Sequence, residues 1–99
     1  MRDVCICIPV VHNPNSIEKV ILECLDRNPG ALIVIDDGSP LPLENYFFSH
    51  QVQRSLQGGQ LKIIRQEQNL GRAAALLTGY SVAKDLGFLD VITVDQAAV

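Results

Sequence analysis

Leu32-Ile33-Val34-Ile35-Asp36-Asp37-Gly38-Ser39 is the stretch on which the reading of this chain turns. Four consecutive branched aliphatic residues between turn formers read as a strand buried on both faces, the pattern of a parallel sheet covered by helices on either side. Two carboxylates arrive at its C-terminal end, just before Gly38, Ser39 and Pro40 break the extended run. In open α/β sheets, ligands bind in the crevice beyond those strand ends. Acidic side chains delivered there are candidates for ligand contact.

Upstream of this central strand, residues 3–10 are apolar and rich in β-branched types, and predict a first strand ending near Pro9. Val11 to Asn15 then form a loop. Ile17, Val20, Ile21, Cys24 and Leu25 carry the spacing of an amphipathic helix. Asn15 or Ser16 would cap it, with Glu18 as capping-box partner of Asn15. It ends at Asn28-Pro29-Gly30.

Downstream, Pro40-Leu41-Pro42-Leu43 reads as a rigid extended linker. Residues 44–57 carry Phe47, Phe48, Val52 and Leu56 in a weaker helical pattern, stopped by Gly58-Gly59. Leu61 to Ile64 make a short third strand, followed by a polar loop over residues 66–71. Residues 71–86 are helical, rich in Ala and Leu, and Gly87 ends them. Leu89 to Val94 form a last strand that delivers Asp95 to the same sheet edge as Asp36 and Asp37. The expected fold is therefore α/β, a Rossmann-like three-layer sandwich with a mostly parallel sheet.

Size and composition narrow the function. A chain of 99 residues is one domain, and a net charge of −3 with 47% apolar residues argues against nucleic acid as a partner. No run is long and apolar enough for a membrane span, and residues 1–10 lack a signal peptide, so a cytoplasmic location is expected. Cys5, Cys7 and Cys24 lack zinc-site spacing. Cys5 and Cys7 point to one face of the first strand and read as buried free thiols. His12 and His50 read as surface residues, and Tyr80 as core. Neither a Gly-x-Gly-x-x-Gly after the first strand nor a P-loop is present, which argues against dinucleotide oxidoreductases and P-loop enzymes. The chain stops soon after its fourth strand and is expected to be the N-terminal piece of a longer protein.

Three features could carry chemistry. Adjacent residues on a strand face opposite sides, so one of Asp36 and Asp37 would bind a ligand while the other braces the loop. Alternatively, Asp37 caps the turn at Gly38-Ser39. Asp95 could hold a divalent ion bridging phosphate oxygens, or be a solvated strand-end carboxylate. Asn69-Leu70-Gly71-Arg72 opens the third helix, where free N–H groups, the macrodipole and Arg72 favour an anion. The bland counterpart is a capped helix with an exposed arginine.

Ile8-Pro9-Val10-Val11-His12-Asn13, Ile33-Val34-Ile35-Asp36-Asp37-Gly38-Ser39, Asn69-Leu70-Gly71-Arg72-Ala73-Ala74-Ala75-Leu76 and Ile92-Thr93-Val94-Asp95 together resemble, in order and spacing, the nucleotide-binding half of family 2 glycosyltransferases of the GT-A fold. The Gly71–Gly79 run looks most like the branch that moves sugars onto polyprenyl phosphates. The resemblance covers residues 1–99 and implies a truncated donor-binding half that takes a nucleotide-diphosphate sugar, with a polyprenyl phosphate or glycan as acceptor. By the same resemblance, Pro9, Val10 and Val11 would line the base and ribose pocket. Asp37 would accept a hydrogen bond from the base, with Asp36 in support. Gly71 and Arg72 would lie near the base and diphosphate, and Asp95 would hold Mg2+ or Mn2+. Ala97 replaces the second aspartate of the family's Asp-x-Asp, and Val11 and His12 replace its usual aromatic and asparagine. No catalytic base is expected in this chain. A rival reading is a non-catalytic α/β module that forms a homo-oligomer through an exposed sheet edge. A receiver-like signalling domain fits poorly, because its acidic pair would follow the first strand, where Pro9 stands.

Overall fold

The described strands and helices are β1 (Val4–Val10), α1 (Ile17–Leu25), β2 (Ala31–Asp37), a 3-10 turn (Leu43–Tyr46), α2 (His50–Gln57), β3 (Leu61–Gln66), α3 (Arg72–Asp85) and β4 (Asp90–Thr93). The computed structural model describes residues 2–10, 16–47, 49–66, 68 and 70–95. Val11, His12, Asn13, Asn15, Phe48, Asn69 and Ala97, all named above, lie outside those residues. The strands form one sheet in the order β3-β2-β1-β4, and every neighbouring pair is parallel.

All seven residues of β2 are buried, as a strand covered on both faces requires. Alternation along β1 and β2 sends Ile6, Ile8, Val10, Leu32 and Val34 into the core beneath α1 and α2, together with Leu43, Phe47 and Val52. Cys5, Cys7, Ala31, Ile33 and Ile35 go the other way, into a smaller core beneath α3. The three-layer sandwich follows. Each buried aliphatic side chain contributes roughly 1.5–3 kcal/mol of transfer free energy.

α3 meets the sheet through small residues, Ala75, Gly79 and Ala83, one turn apart. A methyl group on Gly79 would stand 3.1 Å from Ile35 Cδ1 and 3.2 Å from Cys7 Sγ, so the helix lies close to the strands. That stripe turns Tyr80 outward, where it is 42% exposed rather than in the core.

Other expectations are corrected locally. The helix expected over 44–57 is two pieces, a 3-10 turn and α2, separated by Phe47 in extended conformation. Leu43 is not linker but fully buried core that anchors the turn. β3 runs two residues beyond Ile64, because pairing with β2 extends to Asp37↔Gln66. Ser16 is the N-cap of α1, which puts Glu18 one position too early for a capping box. A Glu18 carboxylate oxygen instead accepts the Ser49 N–H at 2.8 Å, tying α1 to the start of α2.

Candidate functional site

Successive strands β1, β2 and β3 step across the sheet in one direction, and β4 then returns to the opposite side of β1. With right-handed crossovers this reversal puts α1 and α2 on one face and α3 on the other. It also creates a topological switch point between β1 and β4, where strand ends diverge and leave a crevice. The Val94 N–H donates to the Cys7 carbonyl at 3.0 Å, so Cys7 turns its backbone groups toward β4. Pro9, two residues on, turns the same edge toward β4 but has no N–H to offer. The β1–β4 ladder stops at Cys7↔Thr93.

At the end of β2 the two aspartates part company. Asp36 Oδ1 accepts the Ser39 N–H at 3.0 Å, and Oδ2 accepts Arg65 Nη1 at 2.9 Å. Ser39 Oγ lies 2.8 Å from Asp36 Oδ2 and 2.7 Å from the Leu41 carbonyl, and its one proton serves one of them at a time. Arg65 Nη2 completes the turn by donating to the Ser39 carbonyl at 2.9 Å. Asp36 is thus the residue that caps the turn.

Asp37 faces the α3 side of the sheet. Its Oδ1 accepts the Leu70 N–H at 2.9 Å and its Oδ2 the Gly71 N–H at 2.8 Å. The carboxylate occupies the amide groups just ahead of the helix that were expected to attract an anion, and pins the start of α3 to the end of β2. Gly71 has φ 96° and ψ 167°, a backbone region essentially reserved for glycine. This conformation lets the chain deliver its N–H to Asp37 and enter the helix at the next residue.

That next residue is Arg72. Its Nη1 donates to Asp95 Oδ2 at 2.9 Å, with both side chains about half exposed. The pair links the first turn of α3 to the residues after β4, on the crevice side of the sheet. Asp37, Gly71, Arg72 and Asp95 are therefore brought together. Asp36 is on the opposite face. Val10 is buried in the α1–α2 core, so its side chain packs and only its backbone reaches the strand end. Pro9 is buried beside Ile35 in the ladder.

Two neighbours of the site lie beyond the sequence reading. Arg65 is one, and Gln66 is the other: its Oε1 is buried with no hydrogen-bond partner among the described residues, directly across the ladder from Asp37. Both sit on the part of β3 not expected to be strand. A longer third strand would have placed them opposite the two aspartates.

As to metal, no three His, Cys, Asp or Glu side chains converge among the described residues. Asp95 is a single accessible carboxylate. Its chemistry suits a hard cation shared with ligand phosphate oxygens and water, which is how Mg2+ is commonly held, rather than an all-protein cage.

A sequence model of glycosyl transferase family 2 matches residues 5–94. The chain belongs to glycosyltransferase family 2. Its four-stranded all-parallel sheet with three helices agrees with the Rossmann-like part of a GT-A fold. Family 2 glycosyltransferases draw on nucleotide-sugar donors, and the match takes in Pro9, Asp36, Asp37, Gly71 and Arg72, and ends one residue before Asp95. No described helix is long and apolar enough to cross a membrane.

Burial pushes the Cys7 thiol up to about 12, with Cys5 beside it adding to the shift, and burial also raises Cys5 and Cys24. All three are free and buried.

Proposed function

We propose that the crevice between the ends of β1 and β4 is the donor site of a glycosyltransferase, receiving a nucleotide-diphosphate sugar. The observation that carries this reading is the convergence of the Asp37 clamp and the Arg72–Asp95 pair at the topological switch point. Asp37 faces the base. Arg72 supplies fixed positive charge toward the diphosphate, where charge accumulates as the glycosidic bond to it breaks. Asp95 would hold Mg2+ or Mn2+, which supplies Lewis-acid neutralisation of the leaving diphosphate when bound. Pro9 and the backbone of Val10 would border the nucleoside pocket. Any base that activates the acceptor lies outside the residues given roles above. The Gly71–Gly79 run favours a polyprenyl phosphate as acceptor, and with it a place at the cytoplasmic face of a membrane.

Calorimetric titration with UDP and GDP, each with and without Mn2+, tests the reading. Metal-dependent binding of one nucleotide is expected. A folded chain that binds neither would overturn it.

A second reading has its own observation. β4 is an edge strand, with Ile92 44% exposed and Leu89, just before the strand, 97% exposed. Unpaired strand edges template association with another chain, and a second copy pairing there would make the chain a self-associating module. Oligomerisation unaffected by nucleotide favours this alternative.

A further inference from the structure

We infer that Arg65 is a positioning residue for the donor site, acting through Asp36 and the turn after β2 without touching the nucleotide. The inference rests on the donor-site reading above. Arg65 stands directly opposite Asp36 in the β2–β3 ladder. Its guanidinium forks between Asp36 Oδ2 and the Ser39 carbonyl, both at 2.9 Å, and so closes the Asp36–Ser39 turn from the outside. Asp36 is fully buried and takes the Ser39 N–H as well, so the turn has little freedom while the fork is in place.

The consequence falls on the next residue. With Asp36 held on one face, Asp37 is held on the other, where its two oxygens each accept one N–H from Leu70 and Gly71. The orientation of Asp37 and the starting point of α3, and so of Arg72, are set by a cation on the far side of the strand. Lysine cannot replace it. A single ammonium lacks the planar fork that reaches a carboxylate and a carbonyl together.

The experiment pairs amide hydrogen exchange with nucleotide titration on Arg65→Met, Arg65→Lys, Asp36→Asn and the Arg65→Met/Asp36→Asn double variant. In Arg65→Met, exchange at Leu70 and Gly71 is expected to accelerate about tenfold, while Val20 and Ile21 in α1 keep their protection. The dissociation constant for whichever of UDP or GDP binds with Mn2+ rises at least about fivefold, and the double variant is no worse than the poorer single, as for two groups acting as one unit. Arg65→Lys restores at most part of both, and serves in place of Arg65→Met if that variant does not fold. Unchanged exchange at Leu70 and Gly71, equal acceleration throughout the chain, or an unchanged dissociation constant overturns the inference. If the wild-type chain binds neither nucleotide, the donor-site reading falls. The exchange result then decides by itself whether Arg65 aims Asp37.

Discussion

A methyl group on Gly30 would overlap the carbonyl oxygen of Arg2 and the ring of Phe88. The backbone there cannot retreat, because the Gly30 N–H donates to the Val4 carbonyl at 2.9 Å. Gly30→Ala is expected to destabilise the fold by about 3 kcal/mol, in the upper range for overpacking, as read by urea denaturation. Cys7 makes a prediction about pH. Its thiol is held up to about 12 from an ordinary 9.0, so the folded chain keeps a proton that the unfolded chain releases. Its contribution to stability is fully present below pH 9 and is lost as pH rises from 9 toward 12. Thermal unfolding between pH 8 and 11 should show a falling midpoint, less steep in Cys7→Ala at the high end. A thiol reagent at neutral pH should label none of the three cysteines until the chain unfolds.

At the scale of elements, the start of α3 carries two side-chain devices of different kinds. The Asp37 clamp is buried and satisfies two backbone donors ahead of the helix. Asp37→Ala should cost about 2 kcal/mol, near the top of the range for a lost cap, and should weaken nucleotide binding as well. The Arg72–Asp95 pair is half exposed and screened by water. Arg72→Gln or Asp95→Asn should therefore change stability by less than about 0.5 kcal/mol. On the donor-site reading both should nonetheless weaken metal-dependent nucleotide binding about tenfold or more. Calorimetry set beside denaturation separates the two effects, and a loss of affinity without loss of stability marks a residue that faces the ligand.

At the scale of the whole molecule, the strand order creates a crevice and leaves an edge with one stroke. Placing β4 beside β1 opens the switch point and also makes β4 an outer strand, with Ile92 exposed along it and Leu89 exposed just before it. Ile92→Lys introduces a charge of the sort that blunts natural edge strands. It should abolish any self-association seen by sedimentation velocity while leaving the nucleotide dissociation constant within about twofold. A loss of both together would mean that the edge and the crevice are one functional surface.

Much of this was written in local patterns. The run Leu32 to Ile35 is apolar at every position because both faces of β2 are covered, so burial on two sides is legible without coordinates. The helical stripe of α1, the glycine stops at Gly58 and Gly87, and the carboxylates at strand ends are local in the same sense. What tertiary structure decided was partnership between distant residues. That Asp36 faces Arg65 depends on the register of β2 against β3, 29 positions apart, and that Asp37 meets Gly71 depends on α3 packing over the opposite face, 34 positions away. Local sequence states which way a side chain alternates, but not what will stand there to meet it. That is settled only when strands align and a stripe of Ala75, Gly79 and Ala83 lets a helix approach the sheet closely enough for backbone amides to reach a buried carboxylate.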